Sequence, residues 1–186
     1  MRVIAGSARH LKLKTIEGMG TRPTTDRIKE TLFNMLSFYV EESRFLDLFS
    51  GSGSIAIEAL SRGACEAVLV DNSPHALEII KENLEHTKLD KKAEVIKTDA
   101  VSALKQLSSA QRKFDIIFMD PPYASGLYSD VLETVVKLGI LDKYGIIIAE
   151  QSSKEEIINI KGLVNYRVKD YKTTKMAFYA LEDNND

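Results

Sequence analysis

From residue 44 onward, short apolar runs alternate with stretches in which apolar residues recur every three or four positions. The runs at 45–49, 67–70, 94–97, 115–119 and 145–149 read as strands of a sheet buried on both faces. Between them the pattern predicts helices. One covers 54–62 and is ended by Gly63. One is opened by Ser73 as N-cap with Pro74 at the first helical position and turns Leu77, Ile80 and Leu84 inward. A third lies near 101–108, a fourth carries Leu127, Val131, Val135 and Leu138, and a short polar helix is expected near 154–158. The runs 163–171 and 175–181 leave no room for a helix between them, so they are expected to pair as an antiparallel hairpin through 172–174. Upstream, 2–5 and 11–14 suggest a short hairpin. A loop at 21–25 ends at Thr25 as N-cap, and a helix follows to about Tyr39 with Ile28, Leu32, Met35, Leu36 and Tyr39 on its apolar face. The expected fold class is α/β, a seven-stranded, mostly parallel sheet with one antiparallel strand, preceded by a β-hairpin and helix extension.

Composition bounds this picture. A chain of 186 residues, 44% hydrophobic and 28% charged, suits a single domain over 1–181 with an ordinary soluble core. Within it, 1–40 forms an extension, 44–181 a core, and 182–186 a disordered tail. No apolar run approaches the ~20 residues of a membrane span, and the first residues carry no cleavage signal. Cys65 is the only cysteine, which excludes an intrachain disulfide and a zinc cluster and fits a reducing cytoplasm. It is expected to be a small core residue. His10, His75 and His86 have no ligand spacing and are expected at the surface.

Charge is uneven. The net charge is −2, yet residues 1–34 hold Arg2, Arg9, Lys12, Lys14, Arg22, Arg27 and Lys29 against Glu17, Asp26 and Glu30. A second basic stretch holds Arg167, Lys169, Lys172 and Lys175. Two basic patches on an acidic body suggest a polyanion held in one place, although each alone could be solvated surface.

Two motifs carry chemistry. Asp120-Pro121-Pro122-Tyr123 follows the apolar run 114–119, and its prolines end the sheet ladder at the carboxyl edge, where open α/β folds bind ligands. A carboxylate, the Pro121 carbonyl and a flat ring suit a planar group bearing an NH2, such as a nucleobase. The second motif joins the first strand to its helix: Asp47-Leu48-Phe49-Ser50-Gly51-Ser52-Gly53. Gly51 and Gly53 allow a sharp turn and close approach of a ligand, and Asp71, 20 residues after Gly51 at the end of the next strand, can accept from ribose hydroxyls. Asp99 ends the third strand, also at the carboxyl edge, and completes a constellation that suits an adenosine; a cap on the following helix is its lesser reading. The spacing Gly51-x-Gly53-x-x-Ala56 also satisfies a dinucleotide fingerprint. Asp47 turns the reading from NAD, because an acid ahead of the glycine turn suits a ligand with a cationic amino-acid end. S-adenosylmethionine is such a ligand.

These motifs together resemble class I S-adenosylmethionine-dependent methyltransferases, which have a Rossmann-like fold. Ile4-Ala5-Gly6, Arg9, Leu13-Lys14, Gly20-Thr21-Arg22-Pro23-Thr24-Thr25-Asp26-Arg27 and Leu32-Phe33-Asn34 are more specific. They resemble the bacterial 16S rRNA guanine-N2 methyltransferases of the RsmD family, over residues 1 to about 181. His10 stands where that family's pattern has glycine, and Asn72 follows Asp71 in a segment that is commonly Glu-x-Asp. The resemblance implies methylation of the N2 amine of a guanine in 16S rRNA, within the small subunit or its assembly intermediate. A cytoplasmic location fits the single cysteine, no metal is expected, and a monomer is the default. The resemblance implies Asp120, Pro121 and Tyr123 as catalytic residues. Asp47, Phe49, Gly51, Gly53, Asp71, Asn72, Asp99 and Ala100 would hold S-adenosylmethionine, leaving S-adenosylhomocysteine as product. Arg9, Lys12, Lys14, Arg22, Arg27 and Tyr123 would hold RNA. Two other readings remain: a DNA adenine-N6 methyltransferase, which shares the tetrapeptide, and a non-catalytic RNA-binding or assembly protein that keeps the fold.

Overall fold

The strands lie in the order 3-2-1-4-5-7-6 in one seven-stranded sheet. A computed structural model describes residues 1–16, 26–122 and 126–182. The expected loop at 21–25 with its Thr25 cap, and the tail at 183–186, lie outside the described residues. In chain order the elements are α1 (Asp26–Met35), β1 (Arg44–Asp47), α2 (Ser54–Ser61), β2 (Glu66–Asp71), α3 (Pro74–Thr87), β3 (Ala93–Lys97), α4 (Ala100–Ser109), β4 (Phe114–Met119), α5 (Leu127–Leu138), β5 (Leu141–Ser152), β6 (Leu163–Asp170) and β7 (Thr174–Leu181).

Strands β1 to β5 pair in parallel, and β7 is the reversed strand, antiparallel to both β5 and β6. The hairpin expected at the end of the chain is therefore present. Its second strand, however, inserts against β5 and leaves β6 at the edge. The central strands read as unbroken apolar runs because both faces are covered. On one face β1, β4 and β5 contribute Phe45, Ile116, Phe118 and Ile148, packed by Leu32 and Phe33 of α1, Ile57 of α2 and Ile80 of α3. The other face packs Leu46, Ile117 and Ile147 against Leu104 of α4 and Val131 and Val135 of α5. Val3, Ala8 and Leu13 of the N-terminal segment belong to the first core, so this segment is packed onto the sheet layer.

Local signals hold where a specific hydrogen bond enforces them. Ser73 Oγ accepts from Ala76 N–H at 3.3 Å with Pro74 in the first turn. Helix α2 ends as expected at Gly63, with Gly63 N–H bonded to Leu60 O and Ala64 N–H to Ala59 O, a Schellman closure.

Four expectations change. The helix expected to reach Tyr39 ends at Met35. The chain then turns, with Tyr39 N–H on Leu36 O, so that Leu36 and Val40 are buried and Tyr39 is exposed. No helix forms at 154–158, because side chains from elsewhere bind its carbonyls: Gln151 Nε2 on Glu156 O, Lys175 Nζ on Glu155 O, and Tyr179 Oη on Ile158 O. The early hairpin is a single bridge between Arg2 and Lys12, flanked by Val3 N–H on Leu11 O and His10 N–H on Val3 O. Cys65 is exposed, lying in the turn from α2 into β2 with its thiol on Ser43 O, rather than in the core.

Candidate active site

Strand β1 has β2 on one side and β4 on the other. The chain builds outward to β3 and then returns to β4 across β1. Such a reversal opens a crevice over the carboxyl ends of the two central strands, and both sequence motifs lie there.

The half of the crevice over β1 to β3 is built around three acids and the glycine turn. Asp47 ends β1 and is 1% exposed, and its Oδ1 is buried with no hydrogen-bond partner among the described residues. Burial pushes its carboxyl up to about 7 and the Asp71 charge adds to this, against the opposing influence of the Phe49 and Ala56 N–H groups. The Ser50 hydroxyl donates to the Asp47 backbone carbonyl at 3.0 Å. Gly51 and Gly53 both have left-handed backbone, with φ of 54° and 77°. A Cβ on Gly53 would stand 3.1 Å from Leu69 Cδ2, whereas one on Gly51 would meet nothing within 4 Å. Gly53 is thus needed for packing, and Gly51 faces open space. Asp71 accepts the Gly51 N–H at 2.9 Å on one carboxylate oxygen and the Ser73 N–H at 2.9 Å on the other. The 20-residue offset therefore shapes the glycine turn itself. Asn72 beside it is exposed. Asp99 does cap a helix: its Oδ1 accepts from Ser102 N–H at 2.9 Å, and that bond holds its carboxyl below the usual range. Ala100 opens α4 and is buried, with the half-buried Phe49 packed against the same core.

In the half over β4 and β5, Asp120 follows β4 directly. It is half-buried, Pro121 is buried and Pro122 exposed. Burial raises the proton affinity of Asp120, and the Glu150 and then Asp47 carboxylates raise it further. Tyr123 lies outside the described residues. Among the described residues, no group of three His, Cys, Asp or Glu side chains is arranged to hold a metal ion.

Sequence reasoning missed Glu150. It ends the apolar part of β5 as Asp120 ends β4, and that parallel was its available signal. Met119 and Ala149 are the last register partners of β4 and β5, Asp120 and Glu150 follow them directly, and the Glu150 charge acts on Asp120. Asn83 was also missed. It is buried on α3, accepts Lys14 N–H at 2.8 Å, and donates to Lys14 O at 3.0 Å and to Ser52 O at 2.9 Å. It couples the N-terminal segment to the glycine turn, and its sequence, inside an amphipathic helix, carried no sign of this.

The basic residues separate. Arg9, Lys12 and Arg27 are exposed. Lys14 is exposed but its ammonium pairs with Glu82. Lys29, counted with the basic block, is wholly buried and pairs with Glu58, so it adds nothing to the surface charge. Arg22 lies outside the described residues. His10 has a left-handed φ of 72°, the geometry that favours glycine and the reason a glycine pattern fits that position.

A strand-order reversal, a glycine turn tied to an acid and Asp120-Pro121-Pro122 at the facing strand end define a class I methyltransferase fold and site. The family model described as Conserved hypothetical protein 95 matches residues 1–180. Relatives agree along nearly the whole chain. The chain is similar to Ribosomal RNA small subunit methyltransferase D of Haemophilus influenzae (35% identity, covering 99% of this chain and 94% of that protein). It is also similar to YlbH of Bacillus subtilis, provisionally named an rRNA methyltransferase (40% identity, 96% and 98% covered). Among solved structures it resembles Escherichia coli yhhF, provisionally named a methyltransferase, with a TM-score of 0.87, 31% identity and 98% of both chains covered. The chain belongs to this family, the one that contains the small-subunit rRNA methyltransferases D.

Proposed function

We propose that this protein methylates the exocyclic N2 amine of a guanine in 16S rRNA, in the small ribosomal subunit or its assembly intermediate, with S-adenosylmethionine as donor. The observation that carries the reading is the position of Asp120-Pro121-Pro122 at the end of β4, facing the glycine turn across the reversal crevice. The names of the relatives supply the rRNA and the small subunit.

The residues present fit that cofactor. The Asp47 Oδ1, without a partner among the described residues, is a buried acceptor for an ammonium, Gly51 leaves room for close approach, and Asp71, bonded to the glycine turn at the end of β2, is an acceptor for ribose hydroxyls. When bound, S-adenosylmethionine supplies an electrophilic methyl group on its sulfonium.

The protein's own residues then have to orient a poor nucleophile, because the guanine amine shares its lone pair with the ring. Asp120 and the Pro121 carbonyl accept its two N–H bonds and favour a pyramidal nitrogen with its lone pair turned toward the β1 side. This is chiefly orientation and electrostatics. The raised proton affinity of Asp120 suits it to take the proton that the methylated amine sheds. A guanine within a helix is out of reach, so the target base is unstacked. Tyr123 stacks on it, an interaction worth ~1–3 kcal/mol by analogy with single-strand binders. Residues 1–40, with Arg9, Lys12, Arg22 and Arg27, form the RNA-holding wall beside a catalytic core over 44–181.

The test is incubation with methyl-labelled S-adenosylmethionine and, in parallel, small ribosomal subunits, protein-free 16S rRNA and DNA, followed by mass spectrometry of the nucleosides. Label in N2-methylguanosine from 16S rRNA is expected. Label in N6-methyladenine, or in no nucleic acid, would overturn the reading.

A further inference from the structure

We propose that Glu150 is the residue by which this site tells guanine from adenine, its carboxylate accepting the N1–H of the base whose N2 amine Asp120 and Pro121 hold. The inference rests on the guanine-N2 reading above and assigns it a specificity residue. Its geometric basis is the sheet register. The last register pair of β4 and β5 is Met119 with Ala149; Asp120 follows directly past the end of β4, Glu150 is the next residue of β5, and the Glu150 charge acts on Asp120. Side chains so placed are about 5 Å apart at their bases, near enough for the two carboxyls to converge on adjacent donors of one purine edge.

The position is rigid. Glu150 is 5% exposed and lies within β5, which pairs with β4 on one side and with β7 through Glu150 and Met176 on the other. The Tyr128 hydroxyl of α5 donates to the Glu150 carbonyl from the opposite face. A group held this way on a strand is a better reading head than one on a loop.

The chemistry selects one base. Ionised carboxylates only accept hydrogen bonds. Guanine offers N1–H beside its N2 amine, which gives a donor to each acid. Adenine offers an N6 amine beside an unprotonated N1, whose lone pair would face the Glu150 carboxylate and leave it unsatisfied. Two neighbouring buried carboxyls also oppose each other's ionisation, and a ligand edge carrying two N–H donors relieves that opposition. The Tyr171 hydroxyl, buried with no hydrogen-bond partner among the described residues and electrostatically linked to Glu150, has the donor polarity that the guanine keto oxygen requires.

The base analogue 2-aminopurine separates this role from a structural one, since it keeps the N2 amine but has a lone pair at N1. First, the position that the wild-type protein methylates is mapped on small subunits by mass spectrometry. If no N2-methylguanosine forms, the guanine reading fails and this inference with it. Next, particles are reconstituted with guanine or 2-aminopurine at that position. Wild type should prefer guanine in kcat/KM by on the order of 100-fold or more. Glu150→Gln, whose amide can donate to N1, should lose most of that preference, with guanine use falling and 2-aminopurine use rising. Unchanged affinity for S-adenosylhomocysteine reports that the variant is folded. An equal fall on both substrates, with the ratio preserved, would make Glu150 structural and overturn the proposal. If Glu150→Gln does not fold, Glu150→Asp decides: a guanine preference that falls when the side chain is shortened upholds the proposal, and a preference equal to that of wild type overturns it.

Discussion

Lys29 Nζ lies 3.2 Å from Glu58 Oε2 with both side chains fully buried, and the same carboxylate accepts Ile4 N–H at 2.8 Å, Ala5 N–H at 3.0 Å and Arg62 Nε at 2.7 Å. Glu58 thus joins α1, the N-terminal segment and α2 at one point. Burial lowers the pKa of Lys29 while Glu58 opposes this, so the pair is held at the balance of desolvation and attraction. Glu58→Ala leaves the buried Lys29 ammonium without its counter-charge, with only the Arg2 carbonyl at 2.5 Å, among the described residues, to accept from it, and leaves the Ile4 and Ala5 N–H groups without their acceptor. It should cost about 3–5 kcal/mol in urea unfolding. A loss below about 1 kcal/mol would mean that the apolar contacts and the Ser61 and Asn83 hydrogen bonds hold the N-terminal segment without Glu58.

Asp120→Ala should lower kcat about 10²–10⁴-fold and leave S-adenosylhomocysteine affinity unchanged, because Asp120 lies on the acceptor side of the crevice. Methyl transfer and calorimetry measured on the same preparation check both halves. Activity within about tenfold of wild type would remove Asp120 from the chemistry.

Asp47 gives a pH signature. Its carboxyl keeps a proton up to about 7 in the free protein, and a bound ammonium favours the carboxylate. Binding of S-adenosylhomocysteine should therefore release a proton, and affinity should rise as pH increases through about 7. Because the folded value is raised above the unfolded one, Asp47 contributes stability at acid pH that is lost as pH rises toward about 7. Asp47→Asn should flatten both profiles. Calorimetry in buffers of different ionisation enthalpy reads the proton directly, and proton uptake instead of release would contradict the assignment.

Arg9→Ala and Lys12→Ala should each reduce the log–log salt slope of binding to small subunits by ~0.7–0.9. Lys14→Ala should change it less, since that ammonium already pairs with Glu82. Equal effects at all three positions would show that RNA displaces Glu82. No effect at any of them would move the RNA surface to the exposed Arg167, Lys169 and Lys172; Lys175 of that basic stretch is buried, with its ammonium on the Glu155 carbonyl.

Asn83→Ala should reach the cofactor from a distance. Removing it leaves Lys14 N–H and the Ser52 carbonyl without their partner, at a cost of about 1–3 kcal/mol in stability. The glycine turn loosens with it, so S-adenosylhomocysteine should bind more weakly than to wild type. Unchanged affinity in a destabilised variant would show that Asp71 alone holds the turn.

By itself the sequence determined the elements from 44 to 152, since strands buried on both faces must be short apolar runs and helices covering them must repeat every three to four residues. It also carried Asp120-Pro121-Pro122, the glycine turn and the Asp71 offset, because each depends on residues close along the chain. Even the cap at Ser73 and the stop at Gly63 are local bonds. What depended on distant partners was decided only in three dimensions. Insertion of β7 between β5 and β6 follows from which apolar edge β5 leaves open. The missing helix at 154–158 follows from side chains of Gln151, Lys175 and Tyr179 taking its carbonyls. Lys29 looked like surface charge because nothing near it in sequence reveals Glu58. Asp120 and Glu150 become neighbours through the parallel pairing of β4 with β5, a register that a linear pattern of apolar residues does not encode.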